Sequence, residues 1–177
     1  MSSNKVQRLR EIISRRKEFF RRKPEAAIYR PKVSSRLIDG LYTETRVREH
    51  LVKADYAEAA GGTNRAPNPI ELLLSALAAC IESAVYEFAA HEGISIDAVE
   101  AEVEGELDLR GLFMVDDSVL PGFRHVSYTL KIKSPDDPER VKELASRVIQ
   151  HCPVVDSLIR PVTMTGNILV EELKKKK

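Results

Sequence analysis

The segment from Asn68 to Gly93 constrains the fold more than any other part of the chain. Asn68 suits a helix N-cap, Pro69 the first helical position, and Glu71 the third, where its carboxylate reaches back to the cap amide. The spacing predicts a helix running to about His91 and stopped by Gly93. Leu73, Leu77, Cys80, Ala84 and Phe88 line one face, and Leu72, Leu74 and Ile81 widen it. A helix apolar over most of its girth belongs in the middle of a structure, covered on several sides. Its most apolar run, residues 72–81, is bracketed by Glu71 and Glu82 and is too short for a bilayer of ~30 Å, so no transmembrane segment is expected.

Other elements surround it. Residues 4–22 read as a helix, with Val6, Leu9, Ile12, Ile13 and Phe19 and Phe20 at helical spacing opposite a basic face, ended by Pro24. Residues 40–56 are strand-like, with Glu44, Arg46 and Arg48 alternating with Thr45 and Val47, and residues 61–69 form a loop. From 94 to 109 the odd positions Val99, Ala101, Val103, Gly105, Leu107 and Leu109 oppose a row of acids, as in a strand with one wet face. Residues 123–133 repeat that alternation. Asp137-Pro138 opens another helix, Pro153 starts a short third one with Cys152 at its N-cap, and 161–172 reads as a closing strand. The order is that of an α+β domain.

The net charge of +1 hides an asymmetry. Residues 1–23 sum to +7, residues 24–173 to −10, and 174–177 to +4. This divides the chain into a basic amphipathic helix (1–24), a body (25–173) and a basic tail (174–177). The start has no apolar segment of the kind a secretory signal needs, so a cytoplasmic protein is expected. Two cysteines exclude a disulfide-stapled scaffold and a four-cysteine zinc cluster. The four histidines show no metal pairing and no phosphate-binding glycine loop is present, so no metal or other cofactor is expected.

Cys80 and Cys152, 72 residues apart, are the informative chemistry. On the residues alone, a lone cysteine on an apolar helix stripe is usually a small hydrophobe. Cys152 differs, because an N-cap thiol facing free amides and a positive dipole end has a lowered pKa.

Asn68-Pro69-x-Glu71-Leu72-Leu73-Leu74-x-Ala76-Leu77-Ala78-Ala79-Cys80, followed by Cys152-Pro153-Val154, resembles the OsmC/Ohr family, the osmotically inducible protein C and organic hydroperoxide resistance proteins. The likeness covers residues 40–172 and leaves the N-terminal helix outside. It implies an OsmC-like fold, in which long central helices are wrapped by antiparallel sheets in an intertwined homodimer. It also implies a thiol peroxidase cycle acting in oxidative stress defence. Cys80 would attack a small-molecule organic hydroperoxide and become a sulfenic acid. Cys152 would resolve it to a disulfide, and an external dithiol would reduce that.

In the peroxidases of this family a Glu ten residues before the first cysteine helps to hold an active-site Arg. Here that position is Ile70, and the nearest acid is Glu71, which has its own work in the capping box. Ten helical residues span ~15 Å, so such a partner must reach the cysteine from another part of the fold or from the second subunit. Cys80 among Leu and Ala needs a nearby cation to lower its pKa. Arg48 ranks ahead of Arg46 and Arg65, because Arg46-Val47-Arg48-Glu49-His50 resembles a segment of family members lacking that Glu. Ile70 leaves a second function open, a redox-sensing or small-molecule-binding module without efficient peroxidase activity. The basic helix fits an anionic surface electrostatically, yet its apolar stripe favours packing on the protein, and no nucleic-acid partner is expected.

Overall fold

The computed structural model describes residues 3–172, and the basic tail 174–177 lies outside them. The architecture is mixed α and β with antiparallel sheets. Helix α1 (Ser3–Arg22) is followed by a three-stranded meander, β1 (Ser34–Asp39), β2 (Tyr42–Val47) and β3 (His50–Ala54). The central helix α2 (Pro69–Glu92) comes next, then a ribbon of β4 (Ala98–Leu107) and β5 (Phe123–Lys133) interrupted by the single turn α3 (Leu109–Leu112). Helices α4 (Pro138–Ile149) and α5 (Pro153–Ile159) follow.

The capping box forms as its residues dictate. The Glu71 amide donates to Asn68 Oδ1 at 2.9 Å, and the Asn68 amide donates to Glu71 Oε2 at 2.7 Å. Gly93 ends α2 in the left-handed region at φ 73°, where a side chain would be strained and where a Cβ would stand 2.6 Å from Arg10 Nη2. The buried stripe of α2 is Leu77, Ile81, Val85 and Ala89, rotated from the expected one. Leu73 is exposed and Cys80 half-buried, because α2 packs on β4, α4 and α1 over one side only. As a whole α2 is long and apolar enough to cross a bilayer, which the 72–81 run alone did not indicate. Its packing, and the Glu82 carboxylate accepting the Ala101 amide at 2.8 Å, mark it as the core helix of this fold.

The β4–β5 register pairs Val99 with Ile132, Ala101 with Leu130 and Val103 with Tyr128. Val99, Leu130 and Ile132 pack onto the main core of α2 and α4, around Val85 and Leu144. A Cβ at Gly105 would stand too close to the Phe123 ring, which would have to shift to admit it. The strand starts at Ala98 rather than at 94, and Ile94 and Ile96 enter the core from the connection after Gly93. Leu109 leaves the inward stripe and is exposed, because Asp108 accepts the Arg110 amide and starts α3.

Two further expectations need correction. β1, at residues 34–39, precedes the segment expected to be strand and is specified by its pairing with β2. Residues 161–172 form no strand, as they pair with no strand of either sheet, and Met164, Ile168, Leu169 and Val170 stay exposed.

Helix α1 docks across the C-terminal end of α2. Ile13 is buried, Arg10 Nε donates to the Ala90 carbonyl at 3.2 Å, and Lys17 Nζ lies 3.3 Å from His91 Nε2 and over the Phe88 ring. Arg140 Nη2 donates to the Glu92 carbonyl at 3.3 Å. These cations answer the orphan carbonyls and negative dipole end of α2.

Candidate thiol redox site

Cys80 sits in the middle of α2, and Cys152 at the N-cap of α5. Pro153 disfavours helical geometry at Cys152, which adopts φ −71° and ψ 121°. The chain therefore turns between α4 and α5, and Cys152 is carried inward to complete burial beside Leu77 and Ile81. Its thiol lies 2.9 Å from Cys80 Sγ and is placed to donate to it. Both cysteines are free thiols. Val103, Val126, Leu130, Ile149, Val154 and Val155 close the apolar surround.

The expected N-cap role of the Cys152 thiol is not realised, as it makes no hydrogen bond to its own helix. The amide of Val154, in the first turn of α5, donates to the Cys80 sulfur instead. Burial and the Cys152 thiol together push the Cys80 thiol up from its ordinary value, with the Val154 amide opposing them. Among the described residues, no cation acts on it.

The other candidates lie apart in this chain. Glu71 is held in the capping box, nine residues before Cys80, and so ~13 Å along the helix. Arg48 occupies the two-residue tip of the β2–β3 hairpin in the left-handed region, exposed. Arg46 is exposed on β2. Arg65 is spent on the loop before α2, where it pairs with Asp39 at 3.1 Å and stacks on Tyr42 at 4.2 Å. Ile70 is exposed in the first turn of α2.

That loop is organised by a residue the sequence reading missed. Asp55 is buried and accepts from the Thr63 hydroxyl at 2.7 Å and from the amides of Tyr56, Thr63 and Arg65. These bonds, the Thr63 hydroxyl foremost, hold its carboxyl down at about 2. A depressed folded-state pKa gives stability that is present above the unfolded value of about 3.9 and lost as pH falls towards the folded one. Asp55→Asn is expected to lower the melting temperature at neutral pH and to narrow the gap from wild type below pH ~3, as read by thermal melts across that range. Its only prior signal was an acid next to an aromatic ahead of a Gly-Gly-Thr-Asn loop.

Among the described residues, no three His, Cys, Asp or Glu side chains are placed to hold a metal ion. Two surface grooves, about 590 Å³ between β5 and α4 and about 690 Å³ between α1 and the body, are lined by neither cysteine.

A family model described as OsmC-like protein matches residues 62–166, which include both cysteines and the whole of α2. The chain belongs to the OsmC-like protein family. Solved structures agree on the fold. The OsmC-like protein from Mycoplasma pneumoniae superposes with a TM-score of 0.64 at 20% identity, covering 73% of this chain and 87% of that one. An organic hydroperoxide resistance protein OsmC from Legionella pneumophila, described as a predicted redox protein, gives a TM-score of 0.57 at 22% identity, covering 75% and 91%. No curated protein sequence matches the chain significantly. Within the OsmC-like fold the two thiols meet where the central helix passes the start of α5.

Proposed function

We propose that this OsmC-like protein is a thiol-dependent peroxidase of organic hydroperoxides, acting in the cytoplasm in oxidative stress defence. The observation that carries the reading is the 2.9 Å approach of two free, apolar-lined thiols from distant parts of the chain. The hydroperoxide resistance protein from Legionella shares the fold. The Cys80 thiolate attacks a peroxide oxygen, the O–O bond breaks, and the alcohol leaves with a proton, giving a sulfenic acid. Cys152 then attacks that sulfur, water leaves, and an intramolecular disulfide forms. An external dithiol returns both thiols, and no cofactor enters the cycle. The working unit is a homodimer, whose second copy supplies the cation that the described residues of one chain do not place near Cys80, with Arg48 the foremost candidate. The test is turnover of cumene hydroperoxide with a dithiol, which must vanish in Cys80→Ser.

A second reading rests on Ile70 and on the upward-shifted Cys80 thiol. It makes the protein a redox-sensing or small-molecule-binding module. Ile70→Glu separates the two. A peroxidase tuned without that Glu should change its rate by less than about threefold, whereas a gain above about tenfold, measured as kcat/KM, favours the module.

A further inference from the structure

The basic helix outside the matched segment carries its own surface. Residues 4–32 hold eleven Lys and Arg against three Glu, in a chain whose body is acidic. α1 spends its apolar stripe on α2, with Ile13 buried and Val6, Leu9 and Ile12 half-buried. The stripe is therefore not free to roll onto anything else.

Its last turn extends past that contact. Phe19 and Phe20 remain 42% and 39% exposed, their rings tilted 5.8 Å apart. After the turn at Pro24–Ala27 the chain presents Ile28 and Tyr29, 60% and 82% exposed. Between and beside them stand Arg21, Arg22, Lys23, Arg30 and Lys32, all exposed. Among the described residues only Arg22 of this group is ion-paired, with Glu18 at 3.3 Å. Large apolar side chains interleaved with unpaired cations fit an interface that is apolar below and anionic at its surface.

We propose that residues 19–32 form an anchoring surface for anionic phospholipid bilayers. Phe19, Phe20, Ile28 and Tyr29 enter the acyl boundary, while the flanking cations meet lipid phosphates. A nucleic acid fits less well. Ile28 offers no stacking face, and Glu11 and Glu18, paired with Arg15 and Arg22, interrupt the basic surface of α1 that a phosphate backbone would follow.

Co-sedimentation of the full chain with phosphatidylcholine vesicles, with and without phosphatidylglycerol, tests this. Binding is expected only with the anionic lipid and should weaken in high salt. Phe19→Ser/Phe20→Ser and Arg21→Glu/Arg22→Glu/Lys23→Glu should each lose about tenfold or more in affinity, with circular dichroism unchanged. The proposal is overturned if mixed vesicles leave the protein in solution or if both variants bind as wild type does. It is equally overturned if duplex DNA is bound and vesicles are not. Conversion of the Phe variant to a smaller species in gel filtration would make the patch a subunit contact and also overturn it.

Discussion

Cys80→Ser is expected to lower hydroperoxide turnover by about 10³-fold or more, while Cys152→Ser leaves the first peroxide-cleaving step intact and stops the cycle after it. The asymmetry follows from the two environments. Cys80 is only half-buried, so it is the sulfur that a hydroperoxide can reach. Serine keeps the polarity but has no accessible anion near neutral pH. Cys152 is wholly buried behind Leu77 and Ile81, and can reach only what forms on Cys80. A dimedone adduct at residue 80 should therefore appear in Cys152→Ser after one equivalent of hydroperoxide, and in neither wild type nor Cys80→Ser. Free-thiol titration gives the complementary number, with wild type losing both thiols per hydroperoxide consumed. An adduct on Cys152, or full turnover in Cys80→Ser, would refute these roles.

Local chemistry was legible in the sequence, and pairing between distant segments was not. The Asn68–Glu71 capping box, the Gly93 stop and the Pro153 start rest on contacts within a few residues, so reading residue types in order recovers them. β5 was equally legible at 123–133, because one face of it meets the core and alternation reports that. β1 shows the opposite case. Ser34, Ser35 and Arg36 carry no alternation, and only the β2 edge makes them a strand. The 161–172 segment has strand propensity but pairs with neither sheet, and stays irregular. At the site, the likeness around Cys80 and Cys152 anticipated their partnership, but not that Cys152 would turn its thiol away from its own helix. That depends on the extended backbone before Pro153 and on the packing of α5 on α2.

Ala79→Glu is expected to convert a dimer into monomers and to reduce hydroperoxide turnover by about 100-fold with it. α2 leaves a stripe of Leu73, Ala76, Ala79 and Ser83 uncovered, next to the half-buried Cys80. Small residues along a helix let a second helix approach closely, and a central apolar helix does not leave such a face to water without reason. Other surfaces of the same chain are as incomplete. Leu37 and Ile38 on β1, Leu51 and Val52 on β3, and Ile168 and Leu169 beyond α5 are all exposed. Together they exceed the scattered apolar residues of an ordinary surface and match what a second copy would bury. The electrostatics point the same way. Burial holds the Cys80 thiol above its ordinary value with no cation among the described residues acting on it, and Arg48 stands on a hairpin tip that does not reach it. A thiol so placed reacts well only when the missing charge arrives from a partner. In the proposed dimer, a carboxylate introduced at Ala79 would be desolvated at the contact between the two copies of α2. Light scattering should report a halved mass for Ala79→Glu and an unchanged one for the conservative Ala79→Ser. Activity should follow the mass in both. A wild-type chain that is monomeric while fully active would exclude the partner's contribution and place the cation within the single chain.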